Sequence, residues 1–372
     1  MKIDEGTQLL AFASGKPLFP IGEGGGETVA HDLLSGLHNR DYQVEAFGVI
    51  QLRDVVKLNS ALSALQYDLE YESKYQEFQS HSGKRYQVPV QNACHYRIPY
   101  PVHLIPDEIF LDYFASRLVQ GRFPLALIQG KRSPQLVNIA QNHGVFPLFY
   151  LHNGLELGLF ENPKDLPLVL TNSHFFLEKI KRDHGIISEL LYPAVHLDRC
   201  RIENNSHECV TMVNPVVEKG VVPFMKVALA RPDRNFLVLE GWGTPPRILE
   251  LMRKIPNINY LSKQLDMRPI YSRTHVLMVP SQWEEAFGRV IPEAQVNGIP
   301  VLASRVGAIP EAVGEGGVLV DDKENPEAWL KGLELLEARY GEYSARAREN
   351  AKRFSAEKAV TRLLEIIQSI QR

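Results

Sequence analysis

Residues 279–311, VPSQWEEAFGRVIPEAQVNGIPVLASRVGAIPE, set a carboxylate, a glycine turn, a helix start and a second carboxylate close to two apolar strands, and no other stretch restricts the fold as tightly. The apolar run 275–279 reads as a buried strand stopped by Pro280 and Ser281. Gly288 lets the backbone turn without a Cβ clash. Pro292 suits the first position of a helix, and Asn297-Gly298 followed by Pro300 reads as its end. A second apolar strand over 299–304 follows at once. This is a βαβ unit of a parallel sheet, and such sheets gather ligands at the carboxyl ends of their strands. On this reading Glu285 lies in the loop above the first strand and Glu293 in the first turn of the helix. Backbone N–H groups of that turn, with Gly288, suit an anion such as a diphosphate.

The same alternation runs through the rest of the second half. Strands are expected over 209–213, 236–239 and 258–261, with helices over 222–230, 246–253 and 325–337, then helical segments over 343–354 and 356–370. The first half alternates too, with strands over 8–14, 43–51, 125–129, 145–151 and 168–171 and helices over 29–37, 109–119, 134–143 and 175–182. Residues 53–106 are polar, tyrosine-rich and only patchily periodic, and read as a helix near 59–69 followed by irregular or hairpin structure. A chain of 372 residues exceeds one ordinary core. The expected fold class is therefore α/β, with two doubly wound domains: residues 1–195, a polar linker over 196–208, and residues 209–355, with the helix at about 356–372 packing back on the first domain.

Composition removes several alternatives. A net charge of -3 gives no basic surface for nucleic acid or anionic lipid. The three cysteines, Cys94, Cys200 and Cys209, are widely spaced and odd in number, which argues against a disulfide framework and for a reducing compartment. No apolar run is long enough to cross a membrane and the N-terminus lacks a signal-peptide core, so a cytoplasmic protein is expected.

Outside the central stretch, three places could carry chemistry. Gly24, Gly25 and Gly26 lie between a strand and a helix, the order of a phosphate-binding βα turn, but the spacing is neither G-x-G-x-x-G nor a P-loop, and a bare surface loop is the competing reading. His152 follows an apolar strand and precedes Asn153-Gly154, where it could act as an acid/base group, donate to a sugar hydroxyl, or simply be a satisfied loop residue. His143, His174, His184 and His196 have weaker positions. Lys219-Gly220 closes the loop after the first strand of the second domain, a place for a cation that meets a phosphate, although a solvated lysine fits as well.

Taken together, Glu285-Ala-Phe-Gly-Arg-Val-Ile-Pro-Glu293, Pro280-Ser281, Gly298-Ile-Pro-Val301, Gly307, Pro310-Glu311 and Gly316-Gly-Val-Leu-Val320 resemble the retaining GT-B fold glycosyltransferases of family 4, whose mark is an E-x7-E motif. Val217-Glu-Lys-Gly220, Arg231-Pro-Asp233, Gly24-Gly-Gly-Glu27, Asn172-Ser173 and Tyr192-Pro193 are similar to other parts of that family, so the resemblance covers the chain except about residues 53–106. It implies two Rossmann-like domains facing each other across a cleft, and transfer of a sugar from a nucleotide-diphospho-sugar to an acceptor hydroxyl with retained anomeric configuration. It further implies that Glu293 binds the ribose, that Glu285 with the Phe287 and Gly288 amides binds the donor sugar, and that His152 contacts that sugar near the reacting carbon. Lys219 would hold the diphosphate on one side and Gly25 and Gly26 on the other. Neither metal nor cofactor is implied; the donor is expected to be a UDP-sugar, and the acceptor a small molecule, a glycan or a lipid-linked group. One position departs from the pattern: Asn214 stands where the family usually has an arginine that pairs with the lysine, and an amide brings a hydrogen bond without a charge. Arg289 or Arg305 could replace the missing cation.

Two rivals stay open from sequence. Glu285 and Glu293 could form the carboxylate pair of a glycoside hydrolase, or the chain could bind nucleotide sugars without turning them over, a reading that Asn214 keeps alive.

Overall fold

A computed structural model describes residues 9–18, 24–50, 72–80, 83–92, 98–161, 166–241, 243–264 and 266–371. In chain order these form β1 (Leu9–Ser14), α1 (Gly25–His38), β2 (Gln43–Ile50), β3 (Glu72–Gln79), β4 (Arg85–Asn92), β5 (Val102–Pro106), α2 (Phe110–Gly121), β6 (Leu125–Gln129), α3 (Ser133–Asn142), β7 (Phe146–Leu151), β8 (Leu168–Thr171), α4 (His174–His184) and β9 (Ser188–Leu190). They continue as α5 (Leu197–Cys200), β10 (Cys209–Val213), α6 (Val221–Ala230), β11 (Asn235–Leu239), α7 (Pro246–Arg253), β12 (Ile258–Leu261), α8 (Arg268–Tyr271), β13 (Thr274–Val279) and α9 (Val290–Gln295). Last come β14 (Val301–Ser304), α10 (Ile309–Val313), β15 (Gly317–Val320), α11 (Pro326–Ala338), α12 (Tyr340–Ala351) and α13 (Ala356–Gln371).

The chain divides into two compact units, one of Met1–Asn172, Leu177–Ala194 and Ala356–Arg372, the other of Ser173–Phe176 and Val195–Ser355. Among the described residues the first unit holds a nine-stranded sheet in the order β3-β4-β5-β2-β1-β6-β7-β8-β9. Seven of these strands, β5 through β9 in that order, run parallel, and the β3/β4 hairpin adds antiparallel strands at one edge. The central strands are mostly apolar because helices cover both faces; every residue of β6 is buried, its closing Gln129 included. The second unit holds six parallel strands in the order β12-β11-β10-β13-β14-β15. Both are Rossmann-like sheets in which strand order reverses beside the first strand, at β1 and at β10. In the second unit β10 and β13 are therefore neighbours, paired from Cys209 to Thr274 through Thr211 to Leu277. The loops that leave their carboxyl ends start side by side.

Several elements differ from expectation. The Gly24–Gly26 run is not a bare surface loop: Gly24 is the extended N-cap and α1 begins at Gly25, so two of the glycines form the first helical turn. Thr28 Oγ1 donates to the Gly24 carbonyl at 3.0 Å and closes that turn. Strand β5 lies inside the stretch read as irregular; five residues bounded by prolines gave too short an apolar run to recognise, yet it pairs with β2 along its length. The expected helix near 59–69 falls outside the described residues. Helix α9 starts at Val290, which puts Pro292 at its third position rather than its first. The polar segment 196–208 is not a bare tether, because Ser206 N and Glu208 N donate to the carbonyls of Ser272 and Arg273 and so tie it to the second unit.

Helix α13 packs in the first unit, where Val360, Leu363, Ile366 and Ile367 share an apolar cluster with Leu33, Leu34 and Leu37 of α1. The two helices approach so closely that a Cβ on Gly36 would lie 2.6 Å from Val360 Cγ2. Among the described residues no helix is long and apolar enough to cross a membrane. Leu363 is completely buried, so Leu363→Ala should cost about 2–5 kcal/mol through lost contacts and the cavity left behind. Urea titration followed by circular dichroism reads this as a lower midpoint, and an unchanged midpoint would contradict the packing.

Candidate active site

In the second unit, Lys219 comes to the end of β13 because two loops are stitched together. Gly220 has φ 85°, and a Cβ there would lie 1.8 Å from the Pro280 carbonyl oxygen, so only glycine lets the loops meet. The Gln282 amide donates to the Glu218 carbonyl at 2.8 Å. Lys219 Nζ then sits 2.5 Å from Glu285 Oε1. That same oxygen also accepts from Ser281 Oγ at 2.7 Å and from Trp283 Nε1 at 2.8 Å. Lys219 Nζ also stands 5.4 Å from the Trp283 ring centroid, a cation–π arrangement. One carboxylate oxygen thus takes three donors, while Oε2 accepts none from the described residues. The backbone of Glu285 is held as firmly, since Ala308 N donates to its carbonyl at 2.9 Å and a Cβ on Gly307 would come within 2.6 Å of Glu285 N and O.

The second glutamate is held separately. Gly288, at φ 93°, turns the chain into α9, and Phe287 is buried against the Phe354 ring at 5.0 Å. Glu293 Oε1 accepts from Arg289 Nε at 2.6 Å and Oε2 from Tyr271 OH at 2.8 Å. Burial, then the Glu293 charge, hold the Tyr271 hydroxyl well above its ordinary pKa, so it stays a donor. Arg289 is thus committed to Glu293, and Arg305 pairs with Asp321 at 2.6 Å. Asn214 adopts a left-handed backbone at φ 64°, and its side chain is directed at Gly241, where a Cβ would lie 2.5 Å from Asn214 Cγ. Its buried Oδ1 has no partner among the described residues.

In the first unit, His152 follows β7 and its ring lies against the start of α1, with a Cβ on Gly26 only 3.5 Å from His152 Cδ2. The space around Gly25 is open, with no atom within 4 Å of a Cβ there. His152 Nε2 makes a 2.7 Å hydrogen bond with Gln129 Oε1. Its main chain is fixed as well: His152 N donates to Glu156 Oε2 at 3.0 Å, and Asn172 Nδ2 donates to the His152 carbonyl at 3.2 Å. Burial, helped by the charge of Lys16, lowers the His152 pKa to about 3. This favours a neutral ring at physiological pH. Burial, above all, raises the Glu156 carboxyl.

Sequence reasoning placed Lys219, Glu285, Phe287, Gly288, Arg289 and Glu293 at or beside the ends of β10 and β13, and they lie there. Lys219 with Glu285 and Arg289 with Glu293 form two separate pairs, and Asn214 hydrogen-bonds with neither. Ser281, Trp283, Tyr271 and Gln129 were missed. Ser281 and Trp283 precede Glu285 by four and two residues, and a loop conformation alone brings them onto its carboxylate. Gln129 had a legible signal, since it ends a strand as His152 follows one. Ser173 caps α4 through Oγ, which accepts from Phe176 N at 3.1 Å. Glu311 adds acceptors for His174 N and Phe175 N at 3.0 and 3.2 Å, a cap that only the folded second unit assembles.

Comparisons with known proteins agree with this layout. Residues 209–338 match the family described as Glycosyl transferases group 1, so the chain carries a domain of that type. The chain is similar to D-inositol 3-phosphate glycosyltransferase of Corynebacterium diphtheriae, 40% identical over 119 residues, 28% of this chain and 27% of that protein. It is also similar to spore coat protein SA of Bacillus subtilis, 34% identical over 96 residues, 24% of this chain and 26% of that one. The chain thus spans well under half the length of the curated relatives it matches. Among solved structures it resembles HepE of Anabaena in complex with UDP-glucose, at TM-score 0.71 and 14% identity over 97% of this chain and 99% of that one. The catalytic domain of starch synthase IV of Arabidopsis thaliana bound to ADP and acarbose gives TM-score 0.72 and 13% identity over 99% and 100%. The fold is that of the GT-B glycosyltransferase structures.

The depressed His152 pKa has a measurable consequence. The unfolded ring takes a proton near pH 6.5 and the folded ring only near 3. The stability tied to this ring is therefore full above about pH 6.5 and is lost as pH falls toward 3, by up to ~1.4 kcal/mol per pH unit. His152→Gln should lose less stability than the wild type on acidification from pH 7 to 4. Urea midpoints for both across that range should converge, and parallel curves would contradict a neutral buried ring.

Proposed function

We propose that this chain is a glycosyltransferase that moves a sugar from a nucleotide-diphospho-sugar, a UDP-sugar first, to an acceptor hydroxyl with retained configuration and without a metal ion. The observation that carries this reading is the Lys219–Glu285 pair at the adjoining ends of β10 and β13, inside the group 1 domain. The acceptor class follows only from the resemblance: a small molecule, a glycan or a lipid-linked group. The relatives named for D-inositol 3-phosphate make a small phosphorylated polyol a reasonable first compound to try. Cys209 is a buried free thiol, which fits a reducing, cytoplasmic setting.

On this reading Lys219 stabilises the negative charge that grows on the diphosphate as the sugar departs, often the largest single catalytic contribution. Glu285 does two jobs with two oxygens. Oε1, satisfied by three donors, orients the carboxylate and the ammonium, and Oε2 accepts from the donor sugar's hydroxyls. Glu293, aligned by Arg289 and Tyr271, takes the ribose hydroxyls. His152, being neutral, orients a hydroxyl and does not protonate a leaving group. Separate cations on Glu285 and Glu293 argue against their acting together as a hydrolase acid/base pair. A donor-binding protein without turnover is the second reading, favoured by the uncharged Asn214 and its turn toward Gly241.

Lys219→Ala and Glu285→Ala should each cut transfer by about a hundredfold or more with the fold retained; near-normal turnover in both, read by release of nucleoside diphosphate, would overturn the assignment. Melting curves with UDP-, GDP- and ADP-sugars should single out the base, since ligand at 100 times its Kd adds about 2.7 kcal/mol to stability. A UDP-sugar shift without nucleotide release, across an acceptor panel, would instead support the second reading.

A further inference from the structure

Gln129 ends β6 and His152 follows β7, its parallel neighbour, so both residues stand at the same edge of the sheet. Gln129 Oε1 is 2.7 Å from His152 Nε2, and Gln129 Nε2 donates to the Gly26 carbonyl at 3.4 Å. A main-chain carbonyl only accepts, so the amide must turn its NH2 toward Gly26 and its oxygen toward the histidine. That oxygen also only accepts. The imidazole must therefore carry its proton on Nε2, which leaves the lone pair on Nδ1. Nδ1 makes no hydrogen bond among the described residues. The ring cannot easily turn to exchange the two nitrogens, because the Tyr150 ring lies 4.4 Å away between centroids and Gly26 covers the Cδ2 edge. Lys16, whose charge disfavours a second proton on the ring, pairs only loosely with Glu27 at 3.8 Å.

We propose that Gln129 is a positioning residue that fixes His152 as the Nε2–H tautomer, so that Nδ1 presents a hydrogen-bond acceptor to a hydroxyl of a sugar substrate. The inference rests on reading His152 as part of the transfer site. The anchor of the arrangement is a main-chain atom of the first turn of α1, so the glycine run also sets the protonation of the histidine. A hydroxyl donating to Nδ1 is turned with its oxygen lone pairs outward, which suits either orienting the donor sugar or presenting an acceptor oxygen for attack.

The test uses the full chain labelled with 15N-histidine, the His152 signals being identified by their loss in His152→Gln. Long-range 15N–1H couplings report which nitrogen holds the proton. The expected result is an Nε2–H ring in the wild type and in Gln129→Glu, which still accepts, and a redistribution toward Nδ1–H in Gln129→Leu. A proton on Nδ1 in the wild type, or an unchanged Nε2–H signature in a folded Gln129→Leu, overturns the proposal. This measurement needs no substrate, so it stands or falls apart from the transfer reading. With UDP-glucose as the probe, Gln129→Leu should lower kcat for nucleotide release about tenfold or more, partly restored in Gln129→Glu. A raised KM for UDP-glucose alongside would assign the hydroxyl to the donor, and an unchanged KM to the acceptor. Unchanged kcat and KM in Gln129→Leu would overturn it.

Discussion

The second unit is organised by what it takes to keep a lysine and a glutamate side by side under partial burial. A charge removed from water is costly unless it is paired and its remaining hydrogen-bonding capacity is met. Lys219 and Glu285 meet this condition through a shared oxygen that also accepts from Ser281 and Trp283. The surrounding constraints follow from it. Gly220 lets the loop after β10 reach the Pro280 carbonyl, Gly307 lets the turn after β14 close on the Glu285 backbone, and Gly288 swings the chain into α9. Each is a place where a Cβ would push apart loops that the pair needs close, or where the backbone adopts a conformation that glycine accepts most readily.

The first unit solves a different problem with uncharged groups. His152 donates its main-chain N–H to Glu156, accepts at its carbonyl from Asn172, and bonds through its ring with Gln129. Its environment keeps it neutral, and its usefulness lies in direction and not in charge. The contrast is between a cation and anion that balance each other in one unit and a dipole fixed by its neighbours in the other.

Much of this was readable from sequence because it rests on local signals. Alternating apolar runs gave the parallel sheets, a glycine before a proline-containing helix start marked the turn into α9, Lys219 and Glu285 stood in loops after expected strands, and Glu293 stood in the first turn of an expected helix. What could not be read depended on contacts between distant residues. Tyr271 reaches Glu293 across twenty-two positions and Gln129 reaches His152 across twenty-three. Tyr271 carries no signal until the fold makes it a neighbour of Glu293, whereas Gln129 ended an expected strand and lacked only the pairing that sets it beside His152. β5 was hidden for another reason, since Val102–Pro106 is short and has a histidine as its second residue. That histidine is satisfied by Tyr113 and Glu45 only once the strand is in place.

The position of α13 carries a further consequence for how the chain is made. Part of the apolar face of α1 is covered by α13, which follows the second unit in the chain, while the second unit is continuous from Val195 to Ser355 apart from the short segment Ser173–Phe176. On a ribosome the later unit can therefore complete its core before the earlier one. The first unit cannot complete the cluster around Leu33, Leu34 and Leu37 until α13, which follows the second unit in the chain, has emerged. A chain without α13 would keep the strands of its second sheet but leave that side of α1 uncovered and open to aggregation.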